Sequence, residues 1–125
     1  MTSLPSTIEH DTLLSEAAAV MSAKGVRHLP VLREGELVGV LSERDVNVVR
    51  SLRTVTLSTV SAGKVMSDAP LAVSPDTPLS DVVSRMAKKR IGSAIVVQEG
   101  SVVGIFTTVD ALRVLQLSCR AEGVS

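Results

Sequence analysis

The chain has 125 residues, 45% of them hydrophobic, and thirteen basic side chains balance thirteen acidic ones. A balanced charge and a single aromatic residue, Phe106, argue against electrostatic nucleic-acid binding, base stacking on rings and attachment to a membrane surface. No apolar stretch approaches the roughly 18 residues of a membrane span, and we find no signal peptide. Cys119 is the only cysteine, so an internal disulfide is excluded and we expect a reduced, cytoplasmic setting.

The sequence contains one pattern twice, at an offset of 65 residues. A period of this length is long for a solenoid unit, whose repeats span roughly 20–50 residues. We therefore expect two small units that pack on each other, with any ligand bound where they meet. The aligned landmarks include Thr12 with Thr77, Leu14 with Leu79, Met21 with Met86, Gly39 with Gly104, and Asp45 with Asp110.

The first copy predicts the order strand, helix, strand, strand, helix. Residues 7–8 are a short strand candidate, and a helix is predicted from near Thr12 because apolar residues follow at positions i, i+3, i+4 and i+7. Two β-rich runs, 29–32 and 37–41, flank a predicted hairpin turn at 33–36 in which Gly35 supplies a positive φ. A second helix is predicted over 43–52.

The second copy predicts the same order after a linker at 53–62 and a short helical turn at 63–67. Thr77 is predicted to cap the next helix, with Pro78 as its first residue. Strands at 94–97 and 102–106 flank the turn 98–101, and a last helix covers 108–117. We expect the tail after Arg120 to be frayed.

These elements predict an α/β (α+β) fold of two β-α-β-β-α repeats packed as a pseudo-two-fold pair. The strands are continuously apolar, which favours sheets that are covered on both faces. We divide the chain into a first domain at 1–58 and a second at 59–125.

A hydroxyl and a carboxylate recur where each hairpin ends. Ser42 and Asp45 in copy one match Thr107 and Asp110 in copy two. Such a pattern is typical of a capping box at the start of a helix. The same groups could instead bind a nucleotide, with the carboxylate on ribose hydroxyls and the hydroxyl on ribose or phosphate.

Basic residues precede a buried strand in copy one only. Arg27 and His28 are either a solvated loop or a phosphate contact, and Gly92 and Ser93 hold the matching positions in copy two. Any phosphate contact is therefore predicted to be unequal between the copies. The basic run 88–90 could compensate for this missing charge in copy two, but we interpret it as complementing the dipole at the end of a helix.

The sequence contains no convincing catalytic motif. His10 and His28 are far apart in the sequence and do not have metal-ligand spacing. Neither a nucleophile elbow nor a phosphate-binding glycine loop is present. We therefore predict no enzymatic activity and no metal site.

Taken together, these motifs resemble a tandem pair of cystathionine-β-synthase (CBS) domains, called a Bateman module, over residues 7–117. The segments that carry the resemblance are 25–31, 37–46, 73–79 and 103–112. The resemblance implies two units packed by their sheets, with two ligand clefts between them. It also implies a regulatory role, without a required cofactor, and binding of adenosine compounds such as AMP, ADP, ATP, S-adenosylmethionine or NAD.

The resemblance assigns roles to particular residues. Asp45 and Asp110 would hold ribose hydroxyls, Ser42 and Thr107 would contact ribose or phosphate, and Arg44 lies within the first of these motifs. His28, with Arg27 beside it, matches a basic position that contacts phosphate in some members, whereas Ser93 is neutral there. Aliphatic and backbone groups would enclose the base around Ile8, Val26, Val73 and Ile91.

We also expect the two clefts to differ and the protein to have partners. Copy one lacks the leading segment found before copy two, so we expect unequal clefts, with the one around Asp45 favoured. The resemblance implies a flat homodimer and a separate regulated protein, and the chain itself has no such enzyme, channel or transporter domain. The alternative is a purely structural dimerisation or docking module with degenerate, empty clefts.

Overall fold

The computed structural model describes residues 2–3 and 5–121, with side chains described for 5–119. The predicted β-α-β-β-α order is confirmed in both copies, and a short strand β1, Thr2–Ser3, precedes the first. The first unit consists of β2 Ile8–Glu9, α1 Leu14–Lys24, β3 His28–Arg33, β4 Glu36–Ser42 and α2 Glu43–Arg50. The second consists of β5 Ala72–Val73, α3 Leu79–Lys89, β6 Ser93–Gln98, β7 Ser101–Thr107 and α4 Thr108–Ala121.

Each unit builds its own sheet with the same register. The first sheet has the order β2-β3-β4, and the second has the order β1-β7-β6-β5. In both units the first strand, β2 or β5, runs parallel to the second, β3 or β6. The second and third strands of each unit form an antiparallel hairpin. Ile8 pairs with Val31 as Val73 pairs with Val96, so the offset of 65 residues holds in three dimensions.

The two hairpin turns also match. Glu34 and Gly35 have φ values of 50° and 82°, and Glu99 and Gly100 have values of 51° and 80°. Two successive positive φ angles give a tight turn whose twist suits antiparallel strands. The prediction that glycine supplies a positive φ angle in these turns is confirmed.

The strand that leads into each unit pairs with the sheet of the other unit. Ser67 forms an antiparallel bridge with Val40 of β4, and Thr2 of β1 pairs with Ile105 of β7, at the equivalent position. The expectation that copy one lacks a leading segment is therefore wrong for its strand. A helical turn, Ala62–Lys64, precedes copy two.

Three hydrophobic clusters hold the fold together. One fills the first unit around Leu14, Leu29 and Leu41, and a second fills the other unit around Met86 and Phe106. The third lies between the sheets and contains Val40, Ile95 and Ile105. Because neighbouring residues of β4, β6 and β7 belong to different clusters, the continuous apolar runs of these strands are explained by burial on both faces.

The connection between the copies is packed. Ala62 is fully buried in the first core, and Val55, Leu57 and Val60 pack against it. A 3-10 turn forms at Leu57–Thr59. The connection predicted as a linker thus contributes to the first unit, while the domain division at residues 58 and 59 stays a prediction.

Two helices begin one or two residues later than predicted. The first helix begins at Leu14 because the Thr12 carbonyl accepts a hydrogen bond from the Ala62 backbone at 2.7 Å, which keeps this segment extended. In the second unit Pro78 occupies the N-cap position. The Thr77 hydroxyl instead accepts a hydrogen bond from the Ser74 backbone at 3.1 Å and closes the preceding turn.

Helix ends differ from prediction by a few residues. α2 ends at Arg50, whereas α4 continues to Ala121. The tail after Arg120 was predicted to fray. Its residues beyond Ala121 lie outside the described part of the chain. Within the described part of the chain, no helix combines the length and apolar character required to cross a bilayer.

Candidate functional site

A cavity of about 920 Å³ lies between the two units. Its walls come from the start of β3, the end of β4, α2, the segment leading into copy two, and the loop between α3 and β6. Both copies therefore contribute to one site, as the repeat predicted. The predicted residues that line it are Arg27, His28, Ser42, Arg44, Asp45, Ile91 and Ser93.

Ser42 and Asp45 form a complete capping box at the start of α2. The Ser42 backbone donates to Asp45 Oδ2 at 2.9 Å, and the Asp45 backbone donates to Ser42 Oγ at 3.1 Å. These bonds fix the carboxylate at the wall of the cavity. Within residues 5–119, no hydrogen bond to Asp45 Oδ1 is found, so this oxygen can accept one from a ligand.

His28 opens β3 directly across from Ser42 of β4. Its Nε2 lies 3.3 Å from the position that a Cβ on Gly92 would take, so the imidazole packs closely against the other unit. Burial lowers the pKa of His28, and Arg27 lowers it further, while Asp45 and Glu43 oppose the shift. The imidazole is therefore neutral near pH 7.

The second unit supplies the opposite wall. Ser93 is only 6% exposed and pairs across the hairpin with Thr107. The Thr108 backbone donates to the Gly92 carbonyl at 3.0 Å, which holds the loop before β6 against the start of α4. In the first unit Glu43 donates to Arg27 in the same way at 2.8 Å, so the loops are related by the repeat.

One face of α2 forms another wall. Arg44, Asn47, Val48 and Ser51 line the cavity at the spacing i, i+3, i+4 and i+7. This face mixes a guanidinium, an amide, a hydroxyl and an exposed aliphatic side chain. The mixture of polar groups and apolar surface suits a ligand with both characters.

Thr107 and Asp110 repeat the capping geometry without lining this cavity. The Thr107 backbone donates to Asp110 Oδ2 at 2.9 Å, and the Asp110 backbone donates to Thr107 Oγ1 at 3.3 Å. The Thr107 hydroxyl also donates to Asp110 Oδ2 at 3.1 Å. A ligand role for this pair stays a prediction, and it would belong to a second site.

Of the four residues predicted to enclose a base, one lines the cavity and three lie in or against the hydrophobic cores. Ile91 lines the cavity and packs against the second core. Ile8 and Val73 are buried in the first and second cores, and Val26 packs against the first. Leu71 and Pro70, which the sequence did not suggest, line the cavity beside the bridge at Ser67.

Sequence reasoning also missed Arg90 and Glu43 as lining residues. Arg90 was interpreted as part of a basic helix end, although its alignment with Gly25 was a usable signal. The missing side chain of Gly39 makes room for Met66 and for the Ser67 carbonyl, which a Cβ would approach to 2.6 Å.

Comparisons with known proteins agree with this architecture. The family model for the CBS domain matches residues 1–49 and 62–117. A CBS domain-containing protein of Bacillus subtilis, YhcV, is 30% identical and is matched over 98% of this chain and 86% of its own length.

Solved structures are similar as well. The CBS domain pair of protein MJ0100, in complex with 5'-methylthioadenosine and S-adenosyl-L-methionine, has a TM-score of 0.83 at 26% identity, over 94% of this chain and 93% of that one. A conserved protein of Pyrococcus horikoshii has a TM-score of 0.77 at 27% identity, over 93% and 88%. Two family matches on an intertwined pair of β-α-β-β-α units establish that the chain belongs to the CBS domain family, as a tandem CBS domain pair.

Proposed function

We propose that this CBS pair is a non-enzymatic regulatory module that binds an adenosine-containing ligand in the cavity beside Asp45. The observation that carries the proposal is the position of Asp45, anchored through Oδ2 in the capping box while Oδ1 accepts no hydrogen bond from residues 5–119. A carboxylate held in this way suits the paired hydroxyls of a ribose. The cavity, at about 920 Å³, is within the range of roughly 300–1,000 Å³ typical of small-molecule sites.

The remaining groups suit the other parts of such a ligand. Val40, Leu71 and Ile91 offer aliphatic surface to an adenine base. Arg27 and His28 lie beside Ser42 and could reach phosphate oxygens, and a guanidinium binds them in a bidentate manner. AMP, ADP, ATP, S-adenosylmethionine and NAD all share the adenosine part, so this part defines the ligand class.

The structure of the MJ0100 pair contains 5'-methylthioadenosine and S-adenosyl-L-methionine. Because that pair has the same fold at 26% identity, it supports an adenosine ligand for this chain. Asp110 and Thr107 would serve a second, related cleft. The Asp45 cleft is favoured for charged ligands because the Arg27 guanidinium lines it.

We also propose that the pair acts as a homodimer that regulates a separate protein in a reduced cytoplasmic setting. Exposed aliphatic side chains along α4 support the dimer, since a second copy would remove them from water. Val109, Leu112 and Leu115 are 49%, 58% and 57% exposed. A two-fold contact through α4 would bring four repeats into one disc.

Calorimetry with AMP, ADP, ATP and S-adenosylmethionine tests the proposed ligand class. We expect binding by at least one of them, and Asp45→Ala to weaken it by about 1.5–3 kcal/mol, the range for hydrogen bonds to a charged group. Asp110→Ala removes the equivalent capping box of the second unit, so loss of binding with only one of the two variants identifies which cleft is occupied. If none of the four ligands binds, the proposal is wrong.

A structural docking module with empty clefts is the second candidate, and the exposed α4 face favours it. Thermal melting separates the two functions. A ligand at about 100 times its dissociation constant should add roughly 2.7 kcal/mol to stability. An unchanged melting temperature with every adenosine compound would favour the structural module.

A further inference from the structure

The two equivalent helices α1 and α3 end in the same backbone conformation with different residues. Gly25 follows α1 with a φ of 65°, and Arg90, 65 residues later, follows α3 with a φ of 55°. Both backbone N–H groups donate to carbonyls of the last helical turn. The left-handed conformation strains every residue with a Cβ, and glycine adopts it freely. The fold alone therefore favours glycine at position 90.

Arg90 lines the cavity. Within residues 5–119, its guanidinium makes neither a hydrogen bond nor an ion pair, so no polar contact of this side chain within the described chain offsets the strained backbone. Lys88 and Lys89, in the last turn of α3, already complement the helix dipole and do not line the cavity.

Positively charged side chains outnumber negatively charged ones around the cavity. Arg27, Arg44 and Arg90 provide three fixed positive charges, against the carboxylates of Glu43 and Asp45. The excess is positive without any contribution from His28. A guanidinium that faces a cavity with excess positive charge suits an anionic group of the ligand.

We infer that Arg90 binds a phosphate group of the ligand and that this cleft selects phosphorylated adenosine compounds over adenosine itself. The inference rests on the proposed function, because it concerns the same cavity. Arg90 is then a specificity-determining residue contributed by the second unit, facing Asp45 from the first. Its left-handed backbone is retained for binding at the expense of stability.

Arg90→Gly tests this through two effects of opposite sign. It places at position 90 the residue found at position 25, so we expect Tm to rise by roughly 3 °C as the strain is released. Calorimetry should show AMP binding weakened roughly tenfold or more, the loss expected for a charge-assisted hydrogen bond. Adenosine affinity should change by less than about twofold, because it carries no phosphate.

Two further variants complete the design. Arg90→Lys keeps the charge and the strained backbone, so it should retain more AMP affinity than Arg90→Gly without the rise in Tm. Lys88→Gln removes a neighbouring charge outside the cavity and should leave AMP binding within about twofold. An equal loss with Lys88→Gln would mean that overall charge, rather than contact by Arg90, attracts the phosphate, and would overturn the inference.

The outcomes separate this inference from the proposed function. If wild-type protein binds neither AMP nor adenosine, the role of Arg90 is wrong, and the proposed function is wrong as well if ADP, ATP and S-adenosylmethionine also fail to bind. If wild-type protein binds AMP, and Arg90→Gly weakens AMP and adenosine equally or weakens neither, the proposed function stands and the role of Arg90 is wrong. Loss confined to AMP, together with the higher Tm, supports both.

Discussion

His28 of the first unit lies against Gly92 of the second, with its Nε2 3.3 Å from the position that a Cβ on Gly92 would occupy. The cross-unit contact joins a cavity-lining imidazole to the loop before β6. Any side chain at position 92 would move the imidazole by a few tenths of an ångström. The contact therefore couples the packing of the two units to the shape of the ligand site.

We expect Gly92→Ala to weaken AMP binding by about tenfold, because a small displacement of a contacting group is enough to misalign it. In a His28→Ala background the same substitution should cost much less, since its next neighbour, Thr108 Oγ1, would lie at an ordinary 3.6 Å. A double-mutant cycle measured by calorimetry gives this coupling. Additive losses would contradict direct contact between residues 28 and 92.

The pH dependence of stability follows from the lowered pKa of His28. The unfolded chain binds a proton near pH 6.5, whereas burial makes the folded protein bind it only at lower pH. The contribution of neutral His28 is therefore complete above about pH 6.5 and is lost as the pH falls through the folded-state pKa. Asp45 and Glu43 limit the shift, and Arg27 adds to it.

Urea denaturation at several pH values between 8 and 5 checks this. We expect the free energy of unfolding of the wild type to fall below about pH 6.5 more steeply than that of His28→Gln. His10→Gln serves as the control, as it removes the other histidine. Parallel curves for the wild type and His28→Gln would contradict the shift.

Gly39 is expected to tolerate no side chain. A Cβ there would meet the Met66 side chain and lie 2.6 Å from the Ser67 carbonyl oxygen, which accepts the hydrogen bond from the Val40 backbone in the bridge between the units. We expect Gly39→Ala to destabilise the protein by roughly 2–3 kcal/mol in denaturant unfolding. Gly100→Ala, which has open space but a φ of 80°, should cost about 1 kcal/mol. A smaller loss at position 39 than at position 100 would contradict the close approach.

The proposed dimer predicts a clear difference between two exposed leucines. Leu112→Glu on α4 should convert the dimer into a monomer in light scattering, because it places a charge in the contact. Leu79→Glu on α3 is the matched control, since Leu79 is 42% exposed and lies outside α4. Dissociation by both variants, or by neither, would argue against a contact through α4.

Much of the fold could be predicted because each unit repeats the same local signals. Apolar spacing predicted α1 and α3, and the Glu-Gly turns predicted both hairpins with their positive φ angles. The helix starts differ from prediction by one or two residues because they depend on long-range contacts, as Thr12 does on Ala62. The exchange of β1 and Ser67 between the sheets was equally hidden, since strand partners are not encoded locally.

The candidate site was predictable in part for the same reason. Ser42, Asp45 and His28 stand out as polar groups at the ends of buried strands, and the structure brings them to one cavity. Arg90 was missed because a basic residue at a helix end already has a simple interpretation. Its alignment with Gly25 can be read from the sequence, but the left-handed φ angle that gives this alignment its meaning comes only from the structure.

A crystal structure of the wild-type protein with bound AMP tests the central claim most directly. The account predicts that AMP occupies the cavity between the units, with its ribose hydroxyls on Asp45 and its phosphate on the side that holds His28 and Arg90. AMP bound away from Asp45, or an empty cavity in crystals grown at saturating AMP, would contradict it.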